Sequence, residues 1–167
     1  MNHQEQFWRG PDGDAYAERN VGNVATNTAF FARALQHANG IDSVLELGAG
    51  IGENIAALRN LLPDAEFWSV EINANAAQRI NYGNVIVASL LDFTRPIECK
   101  PDLVFTKGVL IHINPLDLQR AYRRLYDSTT RYILIAEYFN PTPVMVEYRG
   151  QTERLWKRDF AGEMMND

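Results

Sequence analysis

The feature that most constrains this chain is the ten-residue stretch SVLELGAGIG at residues 43–52. It starts as a short apolar run interrupted by one acid, Glu46, and ends in glycines at positions 48, 50 and 52, after which helix-forming sequence follows. A buried strand that breaks into a glycine-rich turn at the start of a helix is how an α/β sheet makes a nucleotide pocket. Glycines let the backbone pass close to a ligand, and the unpaired N–H groups of a helix start attract an anion.

Composition limits the chain to one globular domain, because 167 residues suffice for one sizeable core and are too few for two. The formal net charge of −5 argues mildly against bulk binding to nucleic acid or to a membrane surface. Cys99 is the only cysteine, which excludes an intramolecular disulfide and a cysteine-based zinc site, and we expect no metal. The polar start MNHQEQFWRG and the lack of a long apolar run predict a reduced, cytoplasmic setting.

Apolar runs and helical periodicities alternate along the chain. Strands are predicted at residues 43–47, 65–71, 84–88, 102–106 and 131–138, and helices at 21–39, 53–62, about 73–81, from 114 onward and near 151–165. The first 20 residues mix aromatic, glycine, proline and charged positions, and we interpret them as a lid-like arm or loop. Strands that alternate with helices indicate a parallel sheet covered on both faces.

The glycine turn can be interpreted as part of two different kinds of nucleotide pocket. A dinucleotide site has the pattern G-x-G-x-x-G, but the position three residues after Gly50 is Glu53, and an acid there would face a pyrophosphate. The pattern present is E-x-G-x-G-x-G from Glu46, and the next predicted strand ends in another acid, Glu71. A carboxylate at that place can accept hydrogen bonds from both hydroxyls of a ribose.

The motifs ELGAGIG and VEI, at residues 46–52 and 70–72, resemble the first two motifs of the class I S-adenosylmethionine-dependent methyltransferases. The resemblance implies an α/β, Rossmann-like doubly wound sheet with strand order 3-2-1-4-5, and S-adenosyl-L-methionine as cofactor with S-adenosyl-L-homocysteine as product. The glycine loop would then hold the methionine end, Glu71 the ribose, and a residue after the third strand the adenine. The cofactor-binding residues implied are Glu46, Gly48, Ala49, Gly50, Gly52, Glu71, Ile72, Leu91, Asp92 and Lys107, with Trp8, Tyr16 and Arg19 of the arm closing over them.

Several of these residues have a second interpretation. Glu46 reaches the cofactor, directly or through water, or it bonds loop amides or the arm instead. Asp92 contacts the adenine amino group or caps a turn. The aromatic rings of Trp8 and Tyr16 cover the cofactor or pack against the first helix.

The segment after the fourth predicted strand, TKGVLIHI at residues 106–113, is where acceptor chemistry is usually placed. It lacks the Asn/Asp-Pro-Pro-aromatic motif of family members that methylate bases or glutamine, and it is typical of the branch that acts on small molecules. Three segments resemble methylases encoded beside pseudaminic acid pathways: FWRGPDGDAYAERN, DLVFTKGVLIHINP, and EYFNPTPVMVEYRG continued by LWKRDFAGE. That resemblance implies a nonulosonic acid or nucleotide-sugar acceptor.

His112 is the candidate general base, since an imidazole can take a proton from a hydroxyl as the methyl group arrives. Its other interpretation is a histidine that caps or packs under the helix entry at Asn114. Lys107 is interpreted as a contact to substrate or solvent rather than as a catalyst. Residues near the carboxyl end of the fifth strand are candidates for binding the acceptor. They are Tyr138, Asn140, Tyr148 and Arg149, with the basic residues Arg154, Lys157 and Arg158 behind them.

The family's sheet has seven strands, whereas five are predicted here, which implies that the C-terminal strands are missing. Residues 131–138 would then form an apolar sheet edge, which we expect self-association or the last helix to cover. One alternative function follows, a cofactor-binding module without turnover. A nicotinamide-dependent oxidoreductase is the other alternative, and the Glu53 position disfavours it.

Overall fold

The computed structural model describes residues 2–93 and 100–166, so Cys99 lies outside the described residues. Five parallel strands form one sheet in the order β3-β2-β1-β4-β5, as predicted. The strands are β1 (Ser43–Leu47), β2 (Glu66–Glu71), β3 (Asn84–Val87), β4 (Leu103–Lys107) and β5 (Tyr132–Ala136). The chain therefore has the Rossmann-like architecture expected from its sequence.

Helices flank this sheet along most of the described chain. They are α1 (His3–Arg9), α2 (Pro11–Arg19), α3 (Val24–Ala34), α4 (Glu53–Leu61), α5 (Ala74–Ala77), α6 (Leu118–Ser128) and α7 (Phe160–Met165), with 3-10 turns at Leu110–His112 and Pro115–Asp117. None of the helices within residues 2–93 and 100–166 is long and apolar enough to cross a membrane.

Two apolar cores lie on opposite faces of the sheet. Val44 of β1 packs with Phe31 of α3 and Leu58 of α4 on one face. Its neighbour Leu45 points the other way and packs with Leu125 of α6, together with residues of the C-terminal segment. Because β1 is covered on both sides, its sequence is a nearly continuous apolar run.

The N-terminal arm is helical rather than a loop. Asn2 caps α1 in a capping box: its side chain accepts from the Glu5 amide at 2.9 Å, and the Glu5 side chain accepts from the Asn2 amide at 2.7 Å. Helix α2 follows after one residue and crosses α1 closely at Gly13, where a Cβ atom would lie 1.9 Å from the backbone oxygen of Trp8. The two helices therefore form one packed unit.

The prediction of a helix near residues 151–165 is wrong for the first half of that range. Residues Gln151–Lys157 form strand β7, which pairs antiparallel with β6 (Val144–Tyr148) in a separate two-stranded hairpin. The turn consists of Arg149 and Gly150, both at positive φ (52° and 75°), the geometry that joins two strands through two residues. Helix α7 begins only at Phe160.

Strand β5 is the edge of the five-stranded sheet, because the hairpin forms a sheet of its own. Helix α7 packs on the face that carries α6, where Phe160 is buried and the Tyr122 hydroxyl donates to Glu163 at 2.9 Å. Coverage of this edge by self-association stays a prediction.

Candidate functional site

A cavity of about 920 Å³ opens at the carboxyl ends of the parallel strands. Its walls come from the arm, helix α3, the glycine loop, and the segments that follow β2, β3, β4 and β5. This is the edge where open α/β sheets bind ligands, because loops and helix starts converge there. Most of the residues predicted for the cofactor lie in these walls.

The glycine loop and Glu71 meet in the cavity wall. Gly48, Gly50 and Gly52 all have positive φ, at 83°, 56° and 83°. The Gly50 amide donates to Glu71 Oε2 at 2.7 Å, and the Asn73 amide donates to Glu71 Oε1 at 2.8 Å. A Cβ at Gly50 would meet no described atom within 4 Å, so any side chain there would extend into open space. Positive φ and proximity to a ligand both favour glycine at this position.

Burial raises the pKa of Glu71 above its ordinary value, although hydrogen bonds from the amides of Asn73 and Gly50 oppose the shift. Its carboxyl group is nonetheless part of the cavity wall. Each carboxylate oxygen has a second lone pair, so Glu71 can accept two further hydrogen bonds from a ligand diol.

Glu46 lies one layer deeper than the cavity. It is completely buried, its Oε1 accepts from Asn54 Nδ2 at 2.6 Å, and its Oε2 has no hydrogen-bond partner among the described residues. Burial raises the pKa of Glu46 to about 8. Asn54, rather than Glu46, lines the cavity, and Glu46 contacts it through their hydrogen bond.

The end of the cavity where the sequence predicts the adenine base lies beyond Glu71, between the segments that follow β2 and β3. Ile72 and Leu91 line it, as predicted, whereas Asp92 does not. Asp92 is exposed and forms a salt bridge with Arg120 on the protein surface. An acid that the sequence did not identify, Glu5 of α1, lines the cavity instead.

The arm closes the cavity from above, with Trp8 and Tyr16 in its wall. Asn73 holds the arm: its Nδ2 donates to Asp14 Oδ1 at 2.8 Å and to the backbone oxygen of Trp8 at 3.2 Å. The Asn73 Oδ1 also accepts from the Ala76 amide at 2.8 Å and caps α5. One buried side chain therefore starts a helix and fixes the arm.

Arg19 lies at the junction of the arm and the hairpin rather than in the cavity wall. Its guanidinium donates to the hydroxyl of Tyr148 at 3.1 Å. Tyr148 in turn packs edge-on against the His112 ring, with centroids 5.3 Å apart. Both residues support the site without lining the cavity.

His112 lines the cavity and is buried under the hairpin. Its Nδ1 lies 2.7 Å from the backbone oxygen of Arg154, and its ring centroid lies 4.4 Å from that of Trp8. Burial lowers the pKa of His112 to about 4, so the imidazole is neutral near pH 7. A carbonyl oxygen only accepts, so Nδ1 carries the proton and the lone pair is on Nε2.

Glu137, the residue after β5, positions the turn that carries His112. Its carboxylate accepts from the amides of Val109 at 3.0 Å and Leu110 at 3.1 Å. Burial raises the pKa of Glu137 to about 7, against these hydrogen bonds. The prediction missed Glu137, although an acid directly after a parallel strand lies at the ligand-binding edge.

The residues proposed to bind the acceptor separate into two groups. Tyr138 lines the cavity, and the Lys157 Nζ lies 5.6 Å from its ring centroid. Asn140 and Arg149 do not: the Asn140 side chain bonds the Thr142 backbone, and Arg149 occupies the exposed hairpin turn.

The basic residues behind them have different surroundings. Arg158 pairs with Glu163 at 2.8 Å, and Arg154 is buried with its guanidinium 4.8 Å from the Phe7 ring centroid. Lys107 does line the cavity, at the end of β4. No group of three or more potential metal ligands occurs in the part of the chain that the structure describes.

Comparison with known proteins gives matches at the level of structure. No family model and no curated protein matches the sequence. The plantazolicin methyltransferase BpumL, in complex with SAH, aligns with a TM-score of 0.63 at 16% identity, over 81% of this chain and 57% of its own. The sugar N-methyltransferase KedS8 from Streptoalloteichus sp. aligns with a TM-score of 0.62 at 20% identity, over 84% and 62%.

A third neighbour is the O-methyltransferase of a trans-AT PKS multienzyme of Brevibacillus brevis, in complex with S-adenosyl-L-homocysteine. It aligns with a TM-score of 0.63 at 14% identity, over 92% of this chain and 54% of its own. The fold is that of a class I methyltransferase. The chain spans between 54% and 62% of the length of these three neighbours.

The fold thus brings most, though not all, of the predicted residues around one cavity. Those in its wall are Trp8, Tyr16, Gly48, Ala49, Gly50, Glu71, Ile72, Leu91, Lys107, His112 and Tyr138. Gly52 starts α4 with a left-handed backbone beside Ile80 and lies outside the wall, as do Glu46, Asp92, Arg19, Asn140, Tyr148 and Arg149.

Proposed function

We propose that this chain binds S-adenosyl-L-methionine and transfers its methyl group to a small, sugar-derived acceptor. The observation that carries the proposal is the meeting of Gly50 and Glu71 at 2.7 Å in the wall of a cavity about 920 Å³ in volume. A glycine turn at positive φ and a strand-end carboxylate at one point suit a nucleoside whose ribose needs an acceptor pair. The methyltransferase fold of the chain agrees with this use of the cavity.

Each wall has a defined task in this proposal. Glu71 accepts hydrogen bonds from the ribose hydroxyls, the loop at Gly48 and Gly50 admits the methionine end, and Ile72 and Leu91 pack against the base. The arm residues Trp8 and Tyr16 are expected to exclude water from above. The cofactor supplies an activated methyl group on a sulfonium, so the protein need only align the acceptor with it.

His112 is the proposed general base. Its Nε2 lone pair takes the proton of an acceptor hydroxyl as the new methyl–oxygen bond forms and the methyl–sulfur bond breaks. The Arg154 carbonyl keeps the opposite ring nitrogen protonated, which orients the lone pair in the manner of a base held by a third group. With a pKa of about 4, His112 is a weak base, so alignment supplies most of the rate.

A sugar-derived acceptor is supported by two observations. Aromatic rings of Trp8, Tyr16 and Tyr138 line the cavity and offer flat apolar faces to a ring. One structural neighbour is a sugar N-methyltransferase, and the segments quoted above resemble pseudaminic acid-associated methylases. A nonulosonic acid or nucleotide sugar, handled in the cytoplasm, is the acceptor class that we propose.

The cofactor is tested by calorimetric titration with S-adenosyl-L-homocysteine. We expect a dissociation constant on the order of micromolar for the wild type, and no measurable heat for Glu71→Ala or Gly50→Val. Gly150→Val is the matched control, since Gly150 also has positive φ but lies in the hairpin turn. Unchanged titrations of Glu71→Ala and Gly50→Val would refute the proposed site.

Turnover is tested with cofactor labelled in the methyl group and a panel of nonulosonic acids and nucleotide sugars. Transfer of label to one class of acceptor is the expected result. Binding without any transfer would instead favour a cofactor-binding module, the alternative that the sequence left open.

A further inference from the structure

Among the residues that the structure describes, Lys107 is the only lysine or arginine in the cavity wall. Within residues 2–93 and 100–166, no hydrogen bond or salt bridge reaches its ammonium group. The residue is half-buried at the end of β4. A cation that faces a cavity without an ion partner can bind an anionic group of a ligand.

The alternation of side chains along β4 directs Lys107 toward helix α3. Leu103 and Phe105, four and two residues before it, belong to the core on the α3 side of the sheet. Because successive side chains of a strand point to opposite faces, Lys107 lies on that same face. Its Nζ lies 5.9 Å from the ring centroid of Phe30 in α3. The ammonium group therefore occupies the corner of the cavity between β4 and α3.

Asn27 brings a second polar group to this corner. It lies in α3, three residues before Phe30, and it lines the same cavity. Asn27 is only 6% exposed, yet its side-chain amide forms no hydrogen bond with any residue described. Buried polar groups nearly always have a hydrogen-bond partner, so the amide points to a ligand in the cavity. Its Nδ2 can donate beside the Lys107 ammonium.

Glu46, one layer below the cavity, does not neutralise Lys107. Burial raises the pKa of Glu46 to about 8, although the hydrogen bond from Asn54 and the charge of Lys107 oppose the shift. Glu46 is therefore largely protonated at neutral pH. The positive charge of Lys107 is left for a ligand.

The charges of the wall favour one small anion in this corner. The other charged residues described in the wall are acids, namely Glu5, Glu53, Glu71 and Glu137. A carboxylate carries one charge and two acceptor oxygens, which match one ammonium and one amide donor. A diphosphate carries more negative charge and would face these acids with a single cation beside it.

We propose that Lys107 and Asn27 bind a carboxylate of the methyl acceptor, so that the chain prefers an acidic sugar to a neutral one. This inference rests on the proposed function, because it assumes that an acceptor shares the cavity with the cofactor. Lys107 directly precedes the segment that leads to His112, and it pairs in register with Ala136, two residues before Tyr138. Both segments proposed to face the acceptor therefore adjoin it.

The test compares two ligands by calorimetric titration, with and without saturating S-adenosyl-L-homocysteine. One ligand is N-acetylneuraminic acid, a nonulosonic acid, and the other is its methyl ester, which keeps the sugar ring but has no negative charge. The wild type is expected to bind the acid about tenfold or more tightly, as for hydrogen bonds to a charged group. Equal affinities, or no binding of the acid, would refute this role of Lys107 and Asn27. Absence of S-adenosyl-L-homocysteine binding would instead refute the proposed function, and the comparison of acid with ester would still test the carboxylate site on the free protein.

Lys107→Met keeps the length of the side chain and removes its charge, so the preference for the acid should fall to about twofold or less. Affinity for S-adenosyl-L-homocysteine should stay within about threefold of the wild type, because no charged contact to the cofactor is lost. Lys107→Arg retains a cation and should keep most of the preference. Asn27→Ala removes only the amide and should lower the preference by about threefold, which also tests the site if Lys107→Met does not fold.

Lys157→Met is the matched control and should keep the wild-type preference. The Lys157 Nζ also lies near an aromatic ring of the wall, 5.6 Å from the centroid of Tyr138, but Lys157 itself is outside the wall. Loss of the preference in this control would assign the carboxylate to the hairpin and overturn the proposal.

Two further results would also overturn it. If Lys107→Met weakens S-adenosyl-L-homocysteine and leaves the preference for the acid unchanged, Lys107 binds the cofactor instead. If it weakens uridine diphosphate N-acetylglucosamine and leaves the affinity for the acid unchanged, the bound anion is a phosphate rather than a carboxylate.

Discussion

The two sides of the cavity are built in different ways. The cavity floor, residues 46–54 and 71–73, is fixed by backbone geometry: glycines at positive φ and main-chain amides that bond Glu71. The roof is the arm, residues 2–19, together with the hairpin at residues 144–157, which supports the arm without lining the cavity. It is held by side chains that reach across the sequence, such as Asn73 to Asp14 and Arg19 to Tyr148. The floor is therefore set by local conformation, and the roof by a few long-range hydrogen bonds.

This difference predicts different responses to mutation. A side chain added to the floor must adopt a disfavoured backbone conformation and enter the ligand space, so binding is lost outright. A hydrogen bond removed from the roof costs about 1 kcal/mol or somewhat more, so the roof should loosen by degrees. His112, which lies on the core but is oriented by a hairpin carbonyl, joins the two sides.

The largest effect on turnover, with binding retained, is expected for His112→Ala. If the roof orients a base, methyl transfer should slow by about 100-fold while affinity for S-adenosyl-L-homocysteine stays within a few-fold of the wild type. Single-turnover transfer of labelled methyl groups, with calorimetry in parallel, measures both quantities. Because the pKa of His112 is about 4, its neutral form dominates above that pH, and its ionisation should cause no change in rate between pH 6 and 8.

Tyr148→Phe is the control for that experiment. It removes the hydroxyl that accepts from Arg19 and keeps the ring that packs on His112, so the rate should fall by less than about threefold. A near-normal rate in His112→Ala would instead make this histidine a packing residue under the hairpin.

The floor and the sheet could be predicted from sequence because their determinants are local. The strands, the glycine turn and Glu71 follow from periodicity and from spacing within 30 residues, whereas the strand order was implied by the resemblance to class I methyltransferases. Even here, the sequence left Glu46 with two interpretations. Only the fold shows that Asn54, eight residues on, separates this acid from the cavity.

The roof could not be predicted in the same way. Trp156, Phe160 and Met164 have helical spacing, yet Trp156 lies in β7 because the hairpin turn begins at Arg149. Arg149 is a residue type that seldom adopts positive φ, so the usual Asn-Gly signal was missing. Glu5 was missed because its Asn-x-x-Glu spacing indicates only a capping box, and its contact with Ser89 spans 84 positions of sequence.

A moderate effect is expected for Asn73→Asp. Aspartate keeps the oxygen that caps α5 but loses the donor to Asp14 and Trp8, and it places a second acid beside Asp14. The arm should therefore open more often, and hydrogen exchange of amides in α1 and α2 should accelerate by about tenfold. Native-state exchange by mass spectrometry measures this directly.

Asn75→Asp is the matched control, because Asn75 donates to the same Asp14 at 3.0 Å from an exposed position. It should change exchange in the arm by about threefold at most. Equal acceleration in both variants would show that opening of the arm depends on the charge near Asp14 rather than on the buried hydrogen bonds of Asn73.

An effect on stability rather than on the site is expected for Glu46→Gln, which probes the layer beneath the floor. The folded-state pKa of Glu46 is raised to about 8 from an ordinary value of 4.5, so the folded protein retains a proton that the unfolded chain has lost. That stabilisation is complete below the unfolded pKa and is lost as pH rises through about 8. Glutamine remains neutral, so the free energy of unfolding of the wild type, relative to Glu46→Gln, should fall by about 1–2 kcal/mol from pH 6.5 to 8.5.

Urea denaturation at several pH values measures that difference. Measurements above pH 6.5 avoid the contribution of His112, which changes the free energy of unfolding with pH in the opposite direction. The depressed pKa of His112 gives stability that rises with pH between about 4 and its ordinary value of 6.5, and has no further effect above that. Glu66→Gln, at an exposed position in β2, is the control and should parallel the wild type throughout. If Glu46→Gln also parallels the wild type, Glu46 is already ionised in the folded protein at pH 6.5, which would contradict the raised pKa.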